Sequence, residues 1–154
     1  KEIMNKSLDT FISSTFWSER VGPVAALETL KIMEKNKSWK TITLLGKRVK
    51  NKWKNLAKKY DIDASVKGLD AMPIILFKKH NLIYKTLISQ EMLKSNFLAS
   101  NSFYLSTMHN QKVIEKYFFY LEKVFKKIKI SNLEKSPTKF LDTEVCKSNI
   151  SRMN

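Results

Sequence analysis

The stretch Thr10–Met33, TFISSTFWSERVGPVAALETLKIM, contains two different residue patterns, one in each half. The interpretation of the rest of the chain starts from this stretch. Its second half places apolar residues at helical spacing: Val24, Leu27, Leu30 and Met33. Its first half alternates apolar residues with hydroxyl residues, which brings four hydroxyls close to the helix start: Ser13, Ser14, Thr15 and Ser18. Backbone N–H groups left free at a helix start, together with hydroxyls, suit a phosphate group. The alternative is that Ser18 or Thr15 only caps the helix.

A longer run around this point, Phe11–Leu27 (FISSTFWSERVGPVAAL), resembles a segment of class III pyridoxal-phosphate (PLP) aminotransferases. Within that family it is most similar to the glutamate-1-semialdehyde 2,1-aminomutase-like branch. The resemblance continues through Gly46–Val49 (GKRV) and then Gln90–Tyr104, which contains QEMLK, FLAS and SFY. It reaches nearly the last residue in Cys146–Met153 (CKSNISRM), where Lys147 and Asn149 depart from the family pattern. The part of the family that it matches is the C-terminal portion.

The resemblance implies a cofactor contact for the hydroxyl-rich stretch. In this family the threonine at the position of Thr15 reaches across the dimer to the cofactor phosphate of the other subunit. The hydroxyl and N–H of Thr15 are therefore expected to bind the phosphate of pyridoxal 5'-phosphate, with Ser14 as a weaker candidate. Glu19 and Arg20 match residues near that site, and an ion pair between them is the alternative.

The residues that carry PLP chemistry are expected elsewhere. A PLP enzyme holds its cofactor through a Schiff-base lysine and usually pairs the pyridine nitrogen with an aspartate. In the family both lie upstream, in the large domain, and no lysine of this chain sits in a comparable motif. With three glycines in all, the chain also has no Gly-rich phosphate loop. We therefore predict no catalytic residue here, and the missing initiator Met indicates a processed chain or a fragment that is inactive alone.

The net charge of +15 is the strongest compositional signal, and it favours an anionic partner such as nucleic acid. Only three of the 29 basic residues are arginine, the better residue for bidentate phosphate contacts. The lysines are also spread along the chain rather than clustered. A solvated basic surface, a nucleic-acid-binding face and contact with a missing acidic domain all stay open, and we consider nucleic acid the less favoured partner.

Other function classes find little support in the sequence. A single cysteine, Cys146, allows no internal disulfide and fits a reducing compartment. One cysteine and the separated His80 and His109 cannot build a metal cluster, so no metal is expected. No apolar stretch is long enough to span a membrane, and the first residues do not resemble a signal peptide. We expect a cytoplasmic protein without a membrane partner.

Periodicity predicts an α+β fold. The predicted helices run from Glu19 or Val21 to Lys35, from Ser38 to about Tyr60, from Leu82 to Lys94, and onward from a cap at Asn110. The second helix carries an apolar stripe that includes both Trp39 and Trp53 as core residues. The predicted strands cover Ile62–Lys67 and Ile74–Phe77, with a turn at Gly68–Pro73, and Asn96 suits a left-handed helix end. The resemblance implies the C-terminal small domain of a fold-type I PLP enzyme, with three or four helices on a short, mostly antiparallel sheet.

The expected organisation has four parts. Residues 1–18 form the end of the large-domain region with the cofactor-phosphate stretch, 19–36 a connecting helix, 37–130 the small α+β domain, and 131–154 a C-terminal tail. The resemblance implies amino-group transfer between an amino acid-like donor and a carbonyl acceptor, or isomerisation within one substrate. It also implies a homodimer whose subunits share the cofactor site. The alternatives are a stand-alone basic nucleic-acid-binding module and a degenerate aminotransferase remnant that acts in dimerisation.

Overall fold

The computed structural model describes residues 19–147, and contacts divide the chain into two units, residues 1–37 and 38–154. The first unit contributes helix α1, Val21–Asn36, which ends at Lys37 in a left-handed conformation with φ 49°. The sequence predicted this helix and its end correctly. Its apolar positions are not buried, since Val24, Leu27 and Leu30 are 61%, 60% and 61% exposed. An amphipathic helix normally buries such a stripe, and the first unit itself does not bury it among the residues that the structure describes.

Helix α2, Ser38–Lys59, opens the second unit and carries the apolar stripe that the sequence predicted. Four stripe positions are buried in the core: Leu45, Val49, Trp53 and Leu56. The prediction was wrong for Trp39, which is 45% exposed. Trp39 lies in the first turn of α2. The apolar stripe therefore extends beyond the part of the helix that packs against the core.

An antiparallel hairpin follows, made of β1 (Ala64–Leu69) and β2 (Met72–Phe77). Ala64 pairs with Phe77 and Leu69 pairs with Met72, so the connecting turn is Asp70–Ala71. The sequence predicted both strands but began the first at Ile62. That residue still belongs to the end of α2, because its N–H donates to the Ala57 carbonyl at 2.9 Å.

An irregular segment lies along the other edge of β2. The Ile75 N–H donates to the Asn101 carbonyl at 2.8 Å, and the Phe103 N–H donates to the Pro73 carbonyl at 3.0 Å. The buried Asn101 also donates its side-chain amide to the Ile75 carbonyl at 3.1 Å. These bonds satisfy backbone N–H and carbonyl groups at the edge of β2. The described residues contain no third regular strand there, because only Ser102 forms a ladder bridge, to Ile74.

Two further helices complete the unit: α3, Asn81–Leu93, and α4, Gln111–Leu133. Helix α2 packs on both strands and on α4, while α3 packs on α4 and β2. The predicted cap of α4 is confirmed, since the Asn110 side chain accepts the Val113 N–H at 3.0 Å. Asn96 adopts the predicted left-handed conformation, with φ 62°. Helices packed on an antiparallel hairpin confirm the predicted α+β fold class.

The expected tail is partly helical and partly docked on the surface of the same unit. Helix α4 continues through Leu133, so the tail begins later than the residue 131 that the sequence suggested. Beyond it, the Gln90 side chain donates to the Phe140 carbonyl at 2.9 Å and accepts the Asp142 N–H at 2.7 Å. The Cys146 N–H then donates to the Thr86 hydroxyl at 3.0 Å. The segment from Phe140 to Cys146 therefore follows the surface of α3.

Glu91 lies beside Gln90 on α3, and the pKa of its carboxyl group is lowered. Its side chain is 12% exposed and accepts hydrogen bonds from Lys127, Lys94 and Gln90. Burial pushes the pKa of Glu91 up, but these three hydrogen bonds outweigh it and lower the pKa from 4.5 to about 2. A carboxyl with a lowered folded-state pKa stabilises the fold above its unfolded pKa and loses that contribution as the pH falls toward the folded value.

We therefore expect the unsubstituted chain to lose about 2 kcal/mol more stability between pH 5 and pH 2 than Glu91→Gln does. Urea unfolding of both proteins across this pH range measures the difference. At pH 7 the variant is expected to be the less stable of the two. Parallel stability profiles for the two proteins would contradict a lowered pKa at Glu91.

Candidate functional site

The predicted cofactor ligands Thr15 and Ser14 lie outside the described residues. The described part begins at Glu19 and Arg20, both exposed. Neither makes an ion pair with another residue of the described range, so the proposed pairing of Glu19 with Arg20 is not found there.

No side chain of residues 19–147 caps the start of α1. Arg20 occupies the N-cap position with φ −85° and ψ −22°, and its side chain makes no capping hydrogen bond. Ser18 and Thr15 lie outside the described residues, so a cap from either of them stays an alternative. The first intrahelical bond runs from the Val24 N–H to the Arg20 carbonyl at 3.0 Å, and no acidic residue occupies the first turn.

This helix end suits an anion. The N–H groups of Val21 and Gly22 have no partner among residues 19–147, and Pro23 has no N–H to satisfy. Uncapped N–H groups and the helix dipole together place partial positive charge at this end. The end directly follows the hydroxyl-rich stretch in the sequence, so the described residues fit a phosphate group held there.

A second candidate site is an aromatic cleft of about 190 Å³ between the segment Phe97–Tyr104 and the start of α4. Phe103 stacks edge-on against both His109 and Tyr117, with ring centroids 5.0 Å apart in each case. The His109 Nδ1 accepts the Ser106 N–H at 2.9 Å. In the neutral ring this bond leaves the proton on Nε2, so His109 can donate a hydrogen bond from Nε2.

Tyr117 closes the floor of this cleft and connects it to the core. The residue is 3% exposed, and its hydroxyl accepts the Trp53 Nε1–H at 3.3 Å. Burial raises the pKa of the Tyr117 hydroxyl far above its usual range and outweighs the bond from Trp53, which lowers it. The hydroxyl therefore stays protonated and is a structural group rather than a base.

The rim of the cleft is unusually apolar for a surface. Leu98 is 94% exposed, Tyr104 is 71% exposed and the nearby Met108 is 82% exposed. Exposed apolar residues grouped at a cleft are typical of a surface that is covered by another part of an assembly. The sequence did not identify this rim, because an apolar residue in a loop gives the same signal whether it is buried or awaits a partner.

Metal-binding clusters and membrane-spanning helices were both sought in the described part of the chain, with the same outcome. Among residues 19–147, no three side chains of the metal-binding types lie close enough together to hold a metal ion. No helix within the same range is both long and apolar enough to cross a membrane.

Comparison with known proteins gives one informative likeness. No family model and no curated protein matches the sequence. Among solved structures, the chain is similar to the FumI protein of Sphingopyxis sp. MTA144 in its PLP internal aldimine form, with a TM-score of 0.71 and 18% sequence identity. The likeness covers 86% of this chain and 33% of that chain.

At this level of identity the likeness shows the fold. The chain has the fold of one part of a PLP-containing protein and spans about a third of that protein's length. The predicted kind of fold is therefore confirmed. The particular branch of aminotransferases and the contacts of Thr15 and Ser14 stay predictions.

Proposed function

We propose that this chain is the C-terminal domain of a class III PLP-dependent aminotransferase or aminomutase. The observation that carries the proposal is the shared fold over 86% of the chain with a protein that was solved with PLP. The resemblance of Phe11–Leu27 to the aminotransferase segment supports it independently. The complete enzyme would transfer an amino group between an amino acid-like donor and a carbonyl acceptor, or within one substrate.

In this proposal the chain binds and orients the cofactor but does not carry it covalently. PLP, when bound, supplies the electron sink that amino-group transfer requires, and the Schiff-base lysine would come from the upstream domain. The Thr15 hydroxyl and N–H, with Ser14 beside them, would hold the phosphate, and the N-terminal end of the α1 dipole would add partial positive charge. The Leu98 and Tyr104 rim would lie under the missing domain, where it would exclude water from the site.

A homodimer is the proposed assembly. The stripe of α1 keeps Val24, Leu27 and Leu30 about 60% exposed, which is the state expected of a helix that packs on a partner. In such a dimer Thr15 would serve the cofactor of the other subunit. A cytoplasmic location is consistent with this proposal.

The test is Thr15→Ala in the complete enzyme, read as cofactor retention. One or two lost hydrogen bonds to a charged phosphate correspond to about a tenfold weaker affinity for PLP. Dialysis followed by absorbance of the retained cofactor measures it. The matched control is Thr29→Ala, because the exposed Thr29 hydroxyl only donates to the Ala25 carbonyl of α1 at 2.8 Å. Equal PLP retention in the two variants would remove Thr15 from the site.

The two alternatives make different predictions. A nucleic-acid-binding module requires affinity that falls steeply with salt. Its support is the net charge alone, and eight lysines are engaged with carboxylates of their own chain: Lys31, Lys50, Lys59, Lys78, Lys94, Lys127, Lys129 and Lys139. A degenerate remnant would dimerise without retaining PLP. Salt-independent binding to RNA argues against the first alternative, and PLP retention argues against the second.

A further inference from the structure

The chain between α3 and α4, which forms most of the aromatic cleft, is also the longest part of the sequence without a charge. Residues 95–111 include no Lys, Arg, Asp or Glu, although these four residue types make up 28% of the chain and its net charge is +15. These residues form the uncharged segment. Charged residues are depleted at the centre of protein–protein interfaces, while aromatic residues and methionine are enriched there. The composition of the segment is therefore that of an interface.

The uncharged segment leaves large apolar side chains uncovered on a fixed backbone. The two most exposed large apolar residues in the described part of the chain, Leu98 and Met108, both belong to it. The hairpin holds the backbone between them, because the Leu105 N–H donates to the Ala71 carbonyl at 3.1 Å. A surface that is already ordered before it meets a partner loses less conformational entropy on binding.

The cleft of about 190 Å³ differs from other cavities in its lining. No Lys, Arg, Asp or Glu lines it, whereas four other cavities of the described residues each have charged side chains in their walls. One of these four, a cavity of about 470 Å³ in the second unit, is lined by Asp61, Lys79 and Lys135 among others. The volume of the cleft is below the range of about 300–1,000 Å³ that is usual for small-molecule sites. Its size and lining favour a single apolar side chain of a protein partner.

The rings inside the cleft form one connected group. Phe97 lies 6.0 Å from Tyr117, and Phe103 lies 5.0 Å from both Tyr117 and His109, measured between ring centroids. All three contacts are edge-to-face, an arrangement that aromatic rings prefer. His109 adds a polar group, since its Nε2 makes no hydrogen bond to residues 19–147. An aromatic side chain that enters the cleft meets rings, and a backbone carbonyl beside it can accept the Nε2–H.

We propose that the uncharged segment docks against the domain that precedes this chain, and that one aromatic side chain of that domain fills the cleft. The inference rests on the proposed function, in which this chain is the C-terminal part of a longer enzyme. Its partner is a neutral surface with a Phe, Tyr or Trp anchor beside a free backbone carbonyl. Two thirds of the similar FumI chain lie outside the part that shares this fold, so a protein of that kind has the surface to supply the anchor. Buried aromatic anchors carry much of the binding energy at interfaces.

A second copy of this chain suits the uncharged segment less well. Each copy carries a net charge of +15, and Lys94 and Lys112 flank the segment on its two sides. Two copies that meet there bring these like charges together, which opposes their association. The proposed homodimer uses a different surface, the apolar stripe of α1.

The first test is a titration of the 154-residue chain with N-acetyl-phenylalaninamide, a neutral molecule with an aromatic side chain and backbone carbonyls. Backbone amide NMR shifts at Ser106, His109 and Tyr117 report the binding. We expect saturable shifts with a dissociation constant on the order of 1 mM. The control is N-acetyl-glycinamide, which lacks the side chain. Equal shifts with the two molecules, or shifts that do not saturate, would overturn the aromatic anchor.

Two rim substitutions locate the binding in the cleft. Leu98→Ser combined with Tyr104→Ser should weaken the binding of N-acetyl-phenylalaninamide about fivefold, because both side chains line the cleft. The unfolding midpoint should stay the same, since both side chains are exposed. Leu133→Ser is the matched control, because Leu133 is 70% exposed but lies outside the cleft. The same loss of affinity in the control would show contact with any apolar surface and overturn the site.

Leu98→Lys identifies the occupant in the complete enzyme. A charge placed under the preceding domain is buried without a partner, so the melting midpoint of the complete enzyme should fall by about 5 °C. The 154-residue chain with the same substitution should keep its midpoint, because Leu98 is exposed there. An unchanged midpoint of the complete enzyme would overturn the docking. Conversion of its dimer into monomers that melt at the original temperature would assign the surface to a second copy, and would overturn it as well.

This inference and the aminotransferase proposal can fail separately. The Thr15→Ala test reads PLP retention, whereas the titration of the cleft is carried out without PLP. Lower PLP retention in Thr15→Ala, together with an unchanged midpoint in Leu98→Lys, would leave the aminotransferase proposal standing and refute the docking.

Discussion

Gly46→Ala is expected to destabilise the second unit by about 2 to 3 kcal/mol, although alanine is the better helix former by about 1 kcal/mol. A Cβ at this position of α2 would lie 1.7 Å from the carbonyl oxygen of Asp70 and 2.5 Å from its carbonyl carbon. Both atoms belong to the backbone of the β1–β2 turn, so no side chain can rotate out of the way. The whole turn would have to move away from the helix.

The turn cannot move freely, because Lys50 fixes it one helical turn further along α2. The Lys50 Nζ binds the Asp70 carboxylate at 2.7 Å and the Gly68 carbonyl at 2.7 Å. A shift of the turn would break both bonds as well as the helix contact. We therefore expect a melting midpoint about 5 to 10 °C lower for the variant.

Gly22→Ala is the matched control for Gly46. Gly22 also lies in a helix, α1, but a Cβ there meets no atom of residues 19–147 within 4 Å. Its replacement by alanine should leave the midpoint unchanged or raise it slightly, since only helix propensity changes. Calorimetry or urea unfolding of the two variants measures the contrast. Equal effects would show that Gly46 matters for helix propensity and not for close packing.

The fold was predictable from the sequence wherever local pattern and tertiary packing agree. The stripe of α2 placed Leu45, Val49 and Trp53 in the core because helical periodicity is a direct record of the buried face. Asn96 was predictable for a different reason, since asparagine is second only to glycine in tolerating a left-handed helix end. In both cases the residue types at a few neighbouring positions are enough for the prediction.

The predictions that were wrong depend on more than neighbouring residues. Trp39 continues the stripe of α2 but is exposed, and the stripe of α1 is exposed as well. Periodicity shows that a face is apolar, but not whether this chain supplies the surface that covers it. The cavity of about 470 Å³ in the second unit had no sequence signal, because its lining residues, such as Ser131 and Lys79, come from distant segments and belong to no motif. Thr15 and Ser14 stay predictions from the resemblance, because they lie outside the described residues.

Trp53→Ala is expected to have the largest effect on stability, a loss of about 3–5 kcal/mol. Trp53 is 0% exposed on the face of α2 that packs against α4, and its removal leaves a cavity that the surrounding helices cannot easily fill. It would also leave the Tyr117 hydroxyl, which is bound to Trp53 at 3.3 Å, buried without a partner. Since a domain of this size is stable by only about 5–15 kcal/mol, much of the chain should unfold in mild urea.

The chain contains its own control for this prediction, a second tryptophan on the same helix. Trp39→Ala removes the same number of atoms, but from a side chain that is 45% exposed, so we expect a loss below about 1.5 kcal/mol. Tyr117→Phe isolates the hydrogen bond, because it keeps the ring and strands the indole N–H, at an expected loss of about 1–3 kcal/mol. Urea unfolding should therefore rank Trp53→Ala as the most damaging of the three. If Trp39→Ala costs as much as Trp53→Ala, then the face of α2 that carries Trp39 is buried in solution by a surface outside the described residues.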